Sequence, residues 1–414
     1  MKKVYDRDPG YFALRLWVDL TTRRCFRRVE VKGLENVPRD GAVLLSPNHC
    51  GTLMDALVVL QSFKDGTLFG ARADVFRKKA AAKVLHFLKI LPVPRIRDGA
   101  REVLGNRETM AEAVDALAHG MRYCIFPEGT HRPWHSLQPL RKGLVRTALL
   151  ARDTLDKGTK VWIVPAGLYY SDHYRMAGKV RLTYGEPIEL GGFIRSWEEA
   201  HAGQENAPSE AALYNALLAE LSSRMKGLLR YIPGDEDYEA RWAFARIEST
   251  RRHSGLFRRP EATREDCAKA LEATREQLDE ALAFDRRRRA AGVSMLSIGV
   301  SPLALLWRVP VALLTLPLFA YAAVVASPMW VPSELFVSRK IKDKAFGNSI
   351  RLLFKLLLQP LLAICWAVAA FLLLSWPVAT AALIAALFSH WLFYFFLEFW
   401  RLLVSDFRSL FFRR

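Results

Sequence analysis

The chain reads as an α/β domain with a central β-sheet flanked by helices, followed by an α-helical region and C-terminal membrane helices. Three observations predict this. From Val31 to about Leu190, short apolar runs alternate with segments of helical periodicity, the pattern of a layered sheet domain. Residues 209–290 are charged and helical, broken at Pro233-Gly234 and Arg258-Arg259-Pro260. Residues 309–331, 356–374 and 378–397 are apolar almost throughout, each near the ~20 residues that cross a bilayer. The expected divisions are an amphipathic helix within 1–30, the α/β domain over 31–200, the charged helices over 201–294 and a membrane-embedded region over 295–414.

The elements follow in order. Residues 9–26 carry Phe12, Leu14, Leu16, Trp17 and Leu20 on one side and end in Arg23-Arg24. That pattern fits an interfacial membrane helix and equally a helix packed on the domain. Strands are expected at 42–46, 67–70, 122–126, 161–168 and 179–184, and helices at 53–63, 75–91, 101–118 and 141–155. Residues 197–210 are polar and read as a loop.

In the C-terminal region, Trp391, Tyr394, Phe395, Phe396, Phe399 and Trp400 suggest an interfacial aromatic belt. Basic residues stand on both sides of the first apolar segment: Arg286 to Arg289 and Arg308 before it, Arg339, Lys340, Lys342 and Lys344 after it. A single crossing would put one cluster on the wrong face. With Pro310, Pro317 and Pro328 in or beside it, residues 296–331 are expected to enter and leave on the cytoplasmic side as a bent hairpin. The last two segments, joined at Ser375-Trp376-Pro377, form a second hairpin.

Composition narrows the function classes. The 414 residues are 51% hydrophobic with a formal net charge of +18, which excludes a disordered chain. The basic residues flank the apolar segments, so the charge points to an anionic membrane surface rather than to nucleic acid. Five scattered cysteines with no Cys-x-x-Cys pair argue for reduced thiols and against a zinc site. Met1 to Gly10 lacks an apolar core, so no cleaved signal is expected there.

The chemistry concentrates in three segments. The first is Ser46-Pro47-Asn48-His49-Cys50-Gly51-Thr52-Leu53-Met54-Asp55. An imidazole at a strand-to-helix junction is exposed and geometrically fixed, and the nearby helix N-terminus disfavours its charged form. His49 is therefore the candidate general base, with Asp55 fixing its tautomer. The spacing Thr52-x-x-Asp55 also fits a capping box, in which the acid only satisfies a backbone donor. Cys50 adjoins His49, but sequence neighbours rarely face one another.

The second segment, Tyr123-Cys124-Ile125-Phe126-Pro127-Glu128-Gly129-Thr130-His131-Arg132, brings a carboxylate, bare backbone, a hydroxyl and a guanidinium to a strand end. Ligands bind at such ends in α/β sheets, although Pro-Glu-Gly is also simply a turn. The third, Leu91-Pro92-Val93-Pro94-Arg95-Ile96-Arg97, sets two arginines on a proline-stiffened stretch and reads as a phosphate clamp or as a surface loop. Arg141-Lys142 adds a further basic pair before a helix.

In this order the segments resemble the glycerolipid acyltransferases of the lysophosphatidate and glycerol-3-phosphate acyltransferase type. Pro139-Leu140-Arg141-Lys142-Gly143, Val164-Pro165-Ala166-Gly167-Leu168 and Gly185-Glu186-Pro187-Ile188 extend the resemblance over about residues 30–190. Five residues separate His49 from Asp55 where the usual family pattern has four, and Glu-Gly-Thr is followed by His131 before Arg132. The five-residue spacing, Thr130-His131 and Lys342-Asp343-Lys344 resemble a branch that includes fungal glycerol-3-phosphate/dihydroxyacetone-phosphate acyltransferases.

The resemblance implies acyl transfer from acyl-CoA or acyl carrier protein to a hydroxyl of glycerol 3-phosphate, 1-acylglycerol 3-phosphate or another lysophospholipid, with no metal and no cofactor. It implies His49 and Asp55 as the catalytic pair. Arg95, Glu128, Gly129, Thr130, Arg132 and Lys142 would position the acceptor. The expected setting is a lipid bilayer with the catalytic domain facing the cytoplasm, and an alanine- and arginine-rich composition favours a bacterial inner membrane over endoplasmic reticulum. The alternative class is a non-catalytic lipid-binding protein of the same fold.

Overall fold

The structure, a computed structural model, describes residues 3–93, 100–202, 209–252 and 261–412. Eight strands form one mixed sheet: β1 (Arg28–Lys32), β2 (Ala42–Pro47), β3 (Thr67–Arg72), β4 (Ile90–Val93), β5 (Arg122–Cys124), β6 (Val161–Tyr170), β7 (Lys179–Tyr184) and β8 (Ile188–Glu189). Their order is β1-β7-β6-β2-β5-β3-β4, with β8 also paired to β6. Strands β6, β2, β5, β3 and β4 run parallel, while β7 and β8 are antiparallel to β6. Every residue of β2 is buried, as a central parallel strand requires of a continuous apolar run. Its side chains alternate between two cores, Leu44 on one face and Val43 and Leu45 on the other.

Helices α1 (Pro9–Arg23), α2 (Leu53–Leu60), α3 (Lys79–Phe87), α4 (Ala100–Ala118), α5 (Gly143–Thr154) and α6 (Leu190–His201) accompany the sheet. The expected helix over 75–91 divides instead into a short turn, α3 and the strand β4, because the chain reverses at Lys89 with φ 60°. Strand β1, a charged alternating stretch, and the two-residue β8 were not expected elements, and β1 straddles the expected boundary at residue 30.

The charged region forms α7 (Glu210–Leu228), α8 (Tyr238–Arg252), α9 (Arg264–Glu272) and α10 (Arg275–Ala290). Its first helix is part of the sheet domain: Leu217, Leu221 and Met225 are fully buried in the core that holds Leu44. The last elements are α11 (Leu303–Leu314), α12 (Leu316–Lys340), α13 (Gly347–Leu373) and α14 (Trp376–Phe411). The apolar segment expected at 309–331 is split by Thr315, which separates α11 from α12.

Among the described residues, three helical stretches, Leu316–Lys340, Lys344–Leu373 and Trp376–Phe411, are long and apolar enough to cross a membrane. The most apolar part of the second buries none of its residues within the chain. The opposite end of α13 does the reverse. Leu352 is fully buried in the core that contains Cys50 and Met54, so this apolar helix grows out of the sheet domain.

Candidate active site

The carboxyl ends of β6, β2 and β5 lie side by side, and the candidate chemistry emerges there. Asn48 extends the pairing of β2 with β6 through its side chain: Oδ1 accepts from the Leu168 N–H at 2.6 Å and Nδ2 donates to the Leu168 carbonyl at 3.2 Å. That pair of hydrogen bonds to the backbone of one residue sets the direction in which His49 leaves the sheet.

The His49 ring is about one-fifth exposed and stacks on Phe126 with centroids 4.3 Å apart. Its Nδ1 meets Asp55 Oδ2 at 2.8 Å. Opposite a carboxylate, Nδ1 carries the proton, which leaves the Nε2 lone pair to accept one. Asp55 has no exposed surface. Its Oδ2 also accepts the Cys50 and Gly51 N–H groups at 2.8 and 2.7 Å, and its Oδ1 accepts the Tyr170 hydroxyl at 2.8 Å. Asp55 therefore does both jobs at once, orienting the imidazole and closing the turn.

The turn is not a capping box. Thr52 occupies the N-cap of α2, but its side chain makes no capping bond and its φ is 56°. This is an unusual conformation for a β-branched residue. The hydroxyl instead meets Ser349 Oγ of α13 at 2.6 Å. A Cβ on Gly51 would stand 2.6 Å from Asp55 Oδ1 and 2.9 Å from the Tyr170 ring, so the turn closes only over a glycine. Cys50 is fully buried, and burial pushes its thiol well above the ordinary range, so it stays protonated beside His49.

Glu128, only 3% exposed, directs both oxygens at backbone: Oε1 accepts from the His49 N–H at 2.6 Å and Oε2 from the Gln138 N–H at 3.0 Å. Burial pushes its carboxyl up to about 7, outweighing the two N–H bonds that favour ionisation. Glu128 thus clamps the His49 backbone. The Arg132 N–H reinforces the clamp by donating to the His49 carbonyl at 3.0 Å.

The remaining expected residues divide. Gly129 is exposed with φ 68°, a conformation that favours glycine, and Thr130 is exposed next to it. The Arg132 guanidinium turns away from the imidazole to lie 3.6 Å over Trp134 and donate to the Gly234 carbonyl at 3.3 Å. Lys142 is exposed, its ammonium 5.8 Å from the Tyr214 ring. Arg95 and Arg97 lie outside the described residues.

Two partners of the site, Tyr170 and Ser349, carry no local signal in the sequence, and a third belongs to the Lys342-Asp343-Lys344 stretch, Asp343. The last accepts from His131 Nε2 at 2.9 Å, and the His131 ring stands edge-on to His49 at 5.8 Å and to Phe346 at 4.8 Å. The connection between α12 and α13 therefore reaches the candidate catalytic ring. Among the described residues no cluster of three His, Cys, Asp or Glu side chains is placed to hold a metal ion.

At the carboxyl edge of the mixed sheet, a buried carboxylate thus holds an imidazole in a fixed orientation. Residues 28–169 match the model of the acyltransferase family, so this segment is similar to an acyltransferase domain. It is 32% identical over 166 residues to an uncharacterized protein of Mycobacterium tuberculosis, a match spanning 37% of this chain and 41% of that protein. It is 36% identical over 91 residues to glycerol-3-phosphate O-acyltransferase 2 of Saccharomyces cerevisiae, covering 22% of this chain and 12% of that one. To the 1-acyl-sn-glycerol-3-phosphate acyltransferase of Borreliella burgdorferi it is 25% identical over 147 residues, covering 36% and 53%. The chain spans about half or less of the length of these relatives.

Proposed function

We propose that this chain is a membrane-bound O-acyltransferase of phospholipid synthesis, moving a fatty acyl group from acyl-CoA or acyl carrier protein to glycerol 3-phosphate or 1-acylglycerol 3-phosphate. The observation that carries the reading is the 2.8 Å bond between His49 Nδ1 and the fully buried Asp55 carboxylate. It fixes the tautomer in which Nε2 is the base.

In the proposed step, Nε2 takes the acceptor's hydroxyl proton as that oxygen attacks the thioester carbonyl carbon. The C–O bond forms, the tetrahedral intermediate collapses with loss of the C–S bond, and the imidazolium returns its proton to the departing thiolate. Asp55 stabilises the transient imidazolium, and Glu128 keeps the His49 backbone in register. A base so placed contributes about 10²–10⁴ in rate. The exposed Gly129 and Thr130, with Lys142 and Arg95, are the proposed acceptor contacts, and Arg132 would join them by leaving its place over Trp134. Two kinds of relative support the acceptor class, one named for glycerol 3-phosphate and one for its 1-acyl ester.

Bilayer attachment is supported by the exposed apolar surface of α12, α13 and α14. The catalytic domain would face the cytoplasm, with residues 296–331 entering and leaving on that side. Cysteine labelling at Ser338 from the outer face would refute this topology.

The function is tested with purified protein in detergent, labelled palmitoyl-CoA and either glycerol 3-phosphate or lysophosphatidate, with His49→Ala as control. Transfer by the wild type that His49→Ala loses, with unchanged folding, supports the reading and identifies the acceptor. Equal transfer by His49→Ala excludes the mechanism.

A further inference from the structure

A cavity of about 780 Å³ lies away from the His49 site, where the β6–β7 connection, α8, the segment after α10 and the C-terminal part of α14 meet. Seven arginines and three carboxylates line it. The carboxylates are matched. Asp172 accepts from the Tyr174 N–H at 2.8 Å and lies 3.7 Å from Arg175 Nε, and Arg175 Nη1 is 3.8 Å from Glu398. Glu261 pairs with Lys179 at 2.6 Å and with Arg230 at 3.2 Å.

Three of the arginines are not matched. Among the described residues the guanidiniums of Arg27, Arg246 and Arg401 have no hydrogen bond and no ion pair, although all three line the cavity. Burial lowers the Arg246 pKa and the neighbouring Arg288 adds to that, so an arriving anion would relieve both effects. By contrast, Arg288 and Arg289 are held by Asp285, and Arg288 also by the Val293 carbonyl at 2.7 Å.

Part of the lining is apolar, although α14 also contributes Glu398, Ser405 and Arg408 to it. Leu397, Trp400, Leu402 and Val404 come from α14, a helix long and apolar enough to cross a membrane, and Arg401 stands among them. Unmatched guanidiniums beside an apolar helix complement a ligand with an anionic head and an apolar tail. The active site does not share this surface: the Tyr170 hydroxyl bonds Asp55, whereas the Tyr169 ring beside it packs under Arg230 at 3.6 Å.

We propose that this cavity binds an anionic glycerophospholipid, its phosphate held by Arg246 and Arg401 with Arg27 at the rim and its acyl chains lying along α14. The inference rests on the bilayer placement of α14 and not on acyl transfer at His49, and a binding readout separates the two.

The test is native mass spectrometry of the full chain in non-ionic detergent with phosphatidylglycerol, phosphatidylcholine or inorganic phosphate added separately. Wild type is expected to retain phosphatidylglycerol about tenfold better than phosphatidylcholine. Arg401→Gln, at an exposed position, and Arg246→Gln are each expected to reduce that retention about tenfold at an unchanged melting temperature. Should Arg246→Gln fail to fold, Arg401→Gln decides alone. Undiminished phosphatidylglycerol retention by the folded variants, equal retention of the two lipids, or occupancy by inorganic phosphate in place of lipid would each overturn the proposal.

Discussion

Thr52 and Ser349 share a hydrogen bond of 2.6 Å across 297 residues of chain, joining the turn that shapes the His49–Asp55 pair to the apolar helix α13. Thr52 holds φ 56° there, a conformation that persists only where surroundings enforce it. Ser349→Ala leaves the Thr52 hydroxyl buried without this partner. It should lower stability by about 1 kcal/mol, as lost neutral hydrogen bonds do, and reduce acyl transfer while leaving the protein folded. Thermal unfolding and a turnover assay check both; unchanged turnover would mean that α13 does not shape the turn.

Tyr170→Phe removes the hydroxyl that Asp55 Oδ1 accepts. A buried carboxylate oxygen then lacks its donor, which costs about 1–3 kcal/mol. Turnover should fall less than in His49→Ala, because the imidazole keeps its bond to Oδ2. A loss as large as that of His49→Ala would show Tyr170 itself to be essential.

Gly51→Ala sets a methyl group where only 2.6 Å separates it from Asp55 Oδ1. The carboxylate must move, and the Nδ1 contact moves with it. The expected result is a fall in kcat toward that of His49→Ala in a protein whose circular dichroism is unchanged.

The pH dependence of stability contains two opposed contributions. Glu128 keeps its proton in the folded chain up to about pH 7, against 4.5 for the free group. Its contribution therefore falls as pH rises through that window, by on the order of 3 kcal/mol in all. Burial pushes His173 the other way, down to about 4 from 6.5. The unfolded chain takes that proton first, so this contribution is lost as pH falls from 6.5 to 4. Glu128→Gln should flatten the high-pH decline in melting temperature, and His173→Gln the low-pH one. Parallel profiles in wild type and both variants would refute the assignment.

Much of this was legible locally. Strands β2 and β6 are apolar because they are buried on both faces, and His49 and Asp55 are close in sequence. Strand β1 was invisible because Arg28, Glu30 and Lys32 read as surface; only the pairing of Glu30 with Arg181 at 2.7 Å shows the cross-strand match. Strand β4 contains Pro92, which its edge position tolerates; its first two residues read as the end of a helix over 75–91, and Pro92 and Val93 as part of a proline-stiffened stretch. The capping box failed because Asp55 found better donors in Cys50 and Gly51. Tyr170 and Ser349 come from 115 and 297 residues beyond their partners, a distance over which local pattern says nothing; Asp343, 212 residues beyond His131, is marked only through the resemblance of its stretch to a family branch.

The bond between Thr52 and Ser349 also sets an order of events at the ribosome. The histidine turn is made early, but its last partner is made 297 residues later. At ordinary synthesis rates of about 5–20 residues per second, that is a wait of roughly 15–60 s. Through that interval the nascent sheet domain must hold its turn without α13. The histidine turn is completed only once the first turn of α13 has been made, so its final shape waits on the apolar region of the chain.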